Sequence, residues 1–229
     1  MTLDFIRGIQ TLIIAFLSYV ITITFAGWFE SLVAKKMGDD TPEQLGFLTL
    51  NPLDHFNVFG FAAVLWGLFY ARLLPFQFIP GWGRYIPLLP DTMRGKNLRL
   101  RGFVEFMGRS LAHLILLLIT TAVIFMMCKN AGCDVLNFII HLNQGSSFTQ
   151  VITTLLLSLY DQNLILFIVH VVIGIFKYVL HFHVPRLQDV SMSRIILGCL
   201  VLTLGVFILR PILQDFVFLL IKLLQLIII

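Results

Sequence analysis

The chain is 229 residues long, 59% hydrophobic and only 12% charged, with a mean hydropathy of +0.95 and a formal net charge of +4. Soluble domains run at roughly 45–50% apolar and about 25% charged, so this composition excludes an ordinary water-soluble domain and makes lipid the solvent for much of the surface. The basic balance comes from cations at the ends of apolar runs, as in membrane proteins, and an exposed basic module with interleaved aromatics for nucleic acid is missing.

In chain order, residues 8–29 form a first apolar span, long enough to cross a bilayer and preceded by Asp4 and Arg7 with no cleavage site of the signal-peptide kind. Ser18, Thr22 and Thr24 in it can bond back to their own helix. Glu30 at its end reads as an interfacial carboxylate. Residues 35–55 read as a polar loop punctuated by Pro42 and Pro52, and His55, opening the next apolar run, reads as a membrane-interface histidine. A second span is expected over 57–74, with Tyr70 and Arg72 as interface anchors.

Pro75, Pro80, Pro87 and Pro90 then forbid a long helix. An extended re-entrant or interfacial piece is expected there, of the kind that protein must shelter from lipid. Arg72, Arg84, Arg94, Lys96, Arg99, Arg101 and Arg109 crowd this region against Asp91 and Glu105. Such a cluster points to the cytoplasmic side and to phospholipid headgroups.

A third span is expected over 106–127, with His113 inside it as a neutral histidine bonded to a neighbouring helix. An ionisable residue within a span is also a functional candidate by default. Cys128 and Cys133 share the following loop, where a disulfide and two thiols are both open, and Cys199 lies in a later span. Tyr160 to Asn163 interrupt the next apolar stretch, which divides it into a short helix at 148–159 and a span at 163–180. His181 and His183 read as interfacial. Another span covers 195–209, Arg210–Pro211 breaks it, and 212–229 is a final apolar helix carrying Asp215 and Lys222 that either crosses the bilayer or packs along it.

The expected architecture is all-α: a polytopic membrane helix bundle of about five to six spans with a Pro-rich re-entrant or interfacial loop. It forms a single membrane domain over 1–229, with a core half at 1–127 and further membrane helices at 128–229. The expected location is the cytoplasmic (inner) membrane with the N-terminus inside. The expected partners are the lipid bilayer and other membrane proteins, with no nucleic acid.

Two stretches carry a family resemblance. The first holds Gly38, Asp39, Asp40, Thr41, Leu45, Gly46, Leu48, Thr49, Leu50, Asn51, Pro52, His55 and Gly60; the second holds Gly81, Trp82, Arg84, Ile86, Pro87, Pro90, Leu98 and Arg99. Together they resemble the site-2 protease family of intramembrane zinc metallopeptidases, over about the first half of the chain. Counting back from Gly38, the positions where that family carries HExxH are Ala26, Gly27, Trp28, Phe29 and Glu30. Two histidines one helical turn apart and a glutamate beside the metal-bound water make that motif work, and Ala26 and Gly27 can do neither job. The family's AGP becomes Met107, Gly108 and Arg109, its following Asn becomes Ala112, and the Asp after its loop histidine becomes Asn57. Its last ligand, an Asp, falls near Tyr178, where no Asp or Glu exists between Asp161 and Asp189.

The resemblance therefore implies a catalytically inactive relative with no cofactor, binding or scaffolding membrane partners. Two alternatives stay open. One is an intramembrane zinc metalloprotease with ligands drawn from Glu30, His55, His113, His170 or His181, where Glu30 takes the second-histidine position. The other is a small transporter or channel subunit using Lys177, Asp161 and some of the histidines. If the alignment holds, histidines placed at 26 and 30 and a glutamate at 27 would stand together facing inward.

Overall fold

The computed structural model describes residues 2–70, 81–93, 96–131 and 147–183. Among them every regular element is helical. Helix α1 is Thr2–Met37, α2 Thr41–Gln44, α3 Pro52–His55, α4 Val58–Tyr70, α5 Leu98–Phe106, α6 Gly108–Asn130 and α7 Ser147–His183, with one 3₁₀ turn at Pro90–Thr92. Three described helices are long and apolar enough to cross a bilayer, over Gly8–Met37, Gly108–Asn130 and Phe148–Phe182. By that length and apolarity this is an integral membrane protein. The expected spans at 195–209 and 212–229, and Cys133, Cys199 and the loop around Pro75 and Pro80, lie outside the described residues.

Helix α1 runs past the expected end at 29. It stops where Gly38 takes a left-handed φ of 95°, with the Gly38 N–H donating to the Lys35 carbonyl at 3.0 Å and the Asp39 N–H to the Ala34 carbonyl at 2.9 Å. This is the Schellman pattern, and Lys35 and Lys36 in the last turn complement the helix dipole. The helix therefore ends eight residues after the expected end of the span and three residues into the expected loop.

Cross-helix contacts fix the bundle. The Ser18 hydroxyl donates to Ser158 at 2.9 Å and the Asn163 amide to Thr22 at 3.1 Å, so α1 and α7 run parallel. Helix α6 runs antiparallel to α7: His113 near its start bonds Asn163, whereas Ile124 and Cys128 near its end pack with Leu156 and Leu157. Helix α7 is continuous through Tyr160–Asn163, where a break was expected. Its buried amide at 163 finds partners on α1 and α6, which removes the reason to interrupt the helix. The third span is likewise divided differently: α5 ends at Phe106, Met107 serves both as its C-cap and as the N-cap of α6, and the long helix starts at Gly108.

Helix α4 is described over 13 residues, about 20 Å at 1.5 Å per residue, within the span expected over 57–74, whose last four residues lie outside the described residues. It starts beside the middle of α1, since the Tyr19 hydroxyl donates to the Asn57 carbonyl at 2.8 Å, and it packs back along Tyr19, Val64 and Ala15 towards the α1 N-terminus. The stretch from Phe47 to Asn57 thus returns alongside the second half of α1. Its polar groups bond locally: Asn51 caps α3 by accepting from the Leu53 N–H at 3.3 Å, Pro52 takes the first helical turn, and Asn57 accepts from the Gly60 N–H at 2.9 Å.

The Pro-rich segment is extended from Gly81 to Leu89 and lies along α1. Tyr19 and Val64 flank Gly81, Ile23 sits against Gly83, and Ile86 and Leu88 join Ala34, Phe47 and Phe106 in a core cluster against which Tyr178 and Phe182 pack. Gly60 is a close-approach site, because a Cβ there would stand 1.9 Å from the Trp82 carbonyl oxygen.

Candidate functional site

Ala26, Gly27 and Glu30 lie on the inward face of α1. The imidazole of His55 fills the space over Gly27, where a Cβ would stand 2.2 Å from Nδ1. His55 is 1% exposed, so it is buried within the protein. Thr49 brings it in: its carbonyl lies 2.8 Å from His55 Nε2 and can only accept, which places the proton on Nε2. Nδ1 then carries a lone pair, buried and without a partner.

Glu30 is buried as well. Its Oε2 accepts from Arg109 Nε at 2.6 Å, and the same guanidinium donates through Nη2 to the Arg84 carbonyl at 3.0 Å. Gly108 lets the first turn of α6 come this close to α1, since a Cβ there would meet the Glu30 Cα and the Val33 side chain at 3.3 Å. The Arg84 N–H donates in turn to the His55 carbonyl at 2.8 Å. One guanidinium therefore ties α1, α6 and the extended segment together, and Lys177 of α7 is near enough to Glu30 and Arg109 to interact electrostatically.

Below this pair, beyond the end of α1, two more carboxyl groups meet. Asp39 is fully buried and accepts from the Thr41 N–H at 2.9 Å, the Leu89 N–H at 2.7 Å and the Thr92 hydroxyl at 3.2 Å. Burial works to raise its pKa and is outweighed by these bonds and by Glu105, so Asp39 is held below the usual carboxylate range. Glu105 of α5 is also fully buried, and neither of its oxygens has a partner at ordinary hydrogen-bond distance. Burial first, then the facing Asp39 carboxylate, push its pKa up to about 9. The two act as one neutral acid beside one carboxylate.

The other sequence candidates sit elsewhere. His113 is buried between α6 and α7 with Nδ1 2.9 Å from Asn163 Oδ1, and its ring centroid lies 4.9 Å from that of His170. His170 Nδ1 lies 2.8 Å from the Leu166 carbonyl of its own helix. His181 Nε2 is 3.1 Å from Asp91. Among the described residues no three His, Cys, Asp or Glu side chains form a group that could hold a metal ion. The residues at the HExxH positions do not fit zinc: two offer no donor atom, and the third is engaged by a cation.

Sequence reasoning missed Arg109 as the partner of Glu30, and Asp39 with Glu105 as a pair. A signal existed for the first: a carboxylate at the end of one span and an arginine at the start of another are candidates for pairing.

No family model matches the chain, and no solved structure matches it. The chain is 31% identical over 100 residues to a Bacillus subtilis (strain 168) protein described as "Putative zinc metalloprotease YwhC". That match covers 44% of this chain and 40% of the relative, so the chain spans well under half the length of the protein it resembles.

Proposed function

We propose that this is a catalytically inactive, site-2-protease-like membrane protein that holds a membrane segment of a partner protein without cutting it. One observation carries the reading: at the HExxH positions, a buried Glu30–Arg109 ion pair and the His55 ring over Gly27 occupy the space. A guanidinium fixed on Glu30 repels a dication there, and His55 Nδ1 alone is too small a ligand set for catalytic zinc, which takes three protein ligands and a water. No chemical step is assigned to a metal.

The holding role rests on the extended segment. Its Trp82 carbonyl and both backbone polar groups of Arg84 bond inward, to Tyr19, His55 and Arg109. Among the described residues the backbone groups of Gly83 and Tyr85 make no hydrogen bond, and Tyr85 is 64% exposed. A partner segment unwound at its end can pair with such an edge.

The test uses the full chain in lipid nanodiscs. Bound zinc is measured by elemental analysis, and cleavage and photocrosslinking of single-span partner helices are followed with a photoreactive residue at Tyr85. The expected result is substoichiometric zinc, intact helices and crosslinks at position 85. Stoichiometric zinc that is lost on His55→Ala, or cut peptide bonds, would restore the enzyme reading; absence of crosslinks would remove the holding role.

A further inference from the structure

Between α1, α4 and α7, on the side of the bundle away from Glu30, lies a cavity of about 340 Å³. Its walls are apolar, among them Ala15, Leu68 and Leu157, and it is within the roughly 300–1,000 Å³ range of small-ligand sites. Its polar groups are almost all satisfied. The Thr154 hydroxyl donates to the Gln150 carbonyl at 2.7 Å, Ser158 accepts from Ser18 at 2.9 Å, and Thr11 and Asp161 have partners of their own. Gln162 differs. It is 5% exposed, it lines the cavity, and its Nε2 is buried with no partner. A buried amide N–H without an acceptor is costly, and more so among apolar helices where no bulk water reaches.

We infer that this cavity binds a neutral amphiphile drawn from the lipid phase, whose carbonyl oxygen accepts from Gln162 Nε2 and whose apolar body fills the space between α1 and α7. Two features select that chemistry. The unpartnered group is a donor, so the ligand must bring an acceptor. The cavity extends from the level of Thr11, three residues into the apolar run of α1, to that of Gln162, beside the Asn163–Thr22 bond. It is therefore entered from within the bilayer. An acyl ester and a quinone ring carbonyl share this chemistry.

The test reconstitutes the full chain in phosphatidylcholine vesicles with a photoactivatable, clickable diacylglycerol, and in parallel with a photoactivatable alkane of matching length. Labelled residues are mapped by mass spectrometry. Diacylglycerol labelling is expected on the cavity walls around Leu157. It should fall ~3- to 10-fold in Gln162→Leu, the loss of one hydrogen bond, while alkane labelling there is unchanged. Thr154→Phe, at an exposed position on the rim, should reduce both. Competition by decylubiquinone assigns the site to a quinone, and its absence assigns it to an ester. Gln162→Met, checked for folding by thermal unfolding, repeats the test should the leucine variant misfold. Equal diacylglycerol labelling with and without the amide, or labelling only outside the cavity, would overturn the inference and leave trapped water as the acceptor.

Discussion

At the scale of single residues, the decisive contact is between a glycine and a histidine that are 28 positions apart. Gly27 read as a lost general base and His55 as an interfacial residue. The sequence held both identities but not their meeting, because the return of Phe47–Asn57 alongside α1 depends on local turns and caps whose bonding partners only the folded chain supplies. Once placed, the contact explains the glycine: any Cβ at 27 would overlap the imidazole. A glutamate there has no room, so the trio of side chains at 26, 27 and 30 cannot be installed without moving His55. Gly27→Ala is accordingly expected to destabilise the protein by ~1–3 kcal/mol, an overpacking cost, although alanine is the better helix former by ~1 kcal/mol. In a His55→Ala background the same change should be neutral or stabilising. A double-mutant cycle in chemical denaturation measures this, and additive effects would show that the two residues do not touch.

At the scale of elements, the prolines gave the extended segment correctly, whereas its anchoring was not legible. Nothing in residues 81–93 says that Leu89 and Thr92 are held by Asp39, or that Glu105 faces the same carboxylate from α5. That pair makes the stability depend on pH in a stated direction. Glu105 titrates near 4.5 when unfolded and at about 9 in the fold, so between these values the folded chain binds the extra proton. Its contribution is complete below pH ~4.5, diminishes as pH rises, and is gone once pH passes about 9. The charges facing it are Asp39 and Glu30, which hold its proton, and Lys177, which opposes them. Glu105→Gln keeps the shape and fixes the neutral state. It is expected to leave Tm unchanged near pH 4.5 and to raise it increasingly from pH 6 to 9 relative to the parent, as read by thermal unfolding in a pH series. Parallel curves for the two proteins would mean that Glu105 is ionised in the fold at neutral pH.

At the scale of the whole molecule, apolar helices carry little pattern to say which face turns inward. Composition sufficed for the membrane and for helices, but it could not give the parallel pairing of α1 with α7 or the continuity of α7. Those follow from a polar seam between the helices: Ser18 with Ser158, Thr22 with Asn163, Asn163 with His113, and Glu30 with Arg109. In an apolar surrounding, each such group specifies a register, because a helix slipped by one turn leaves it unpartnered. Asn163 is the centre of the seam, since it bonds α1, α6 and the Leu159 carbonyl of its own helix. It also lies in the polar stretch that looked like a helix break, so one residue explains both the misreading and the assembly. Replacing it with an apolar side chain of similar size tests this directly. Asn163→Leu is expected to cost ~1–2 kcal/mol of helix association, near the upper end of measured interhelical hydrogen bonds in membranes. The loss should be larger than for Ser158→Ala, which removes a single contact. Unfolding of the full chain in mixed micelles gives the two free energies. Paired cysteines at exposed ends of α1 and α7 report whether the parallel register survives. A variant as stable as the parent and with the same crosslinks would show that apolar packing alone aligns the bundle.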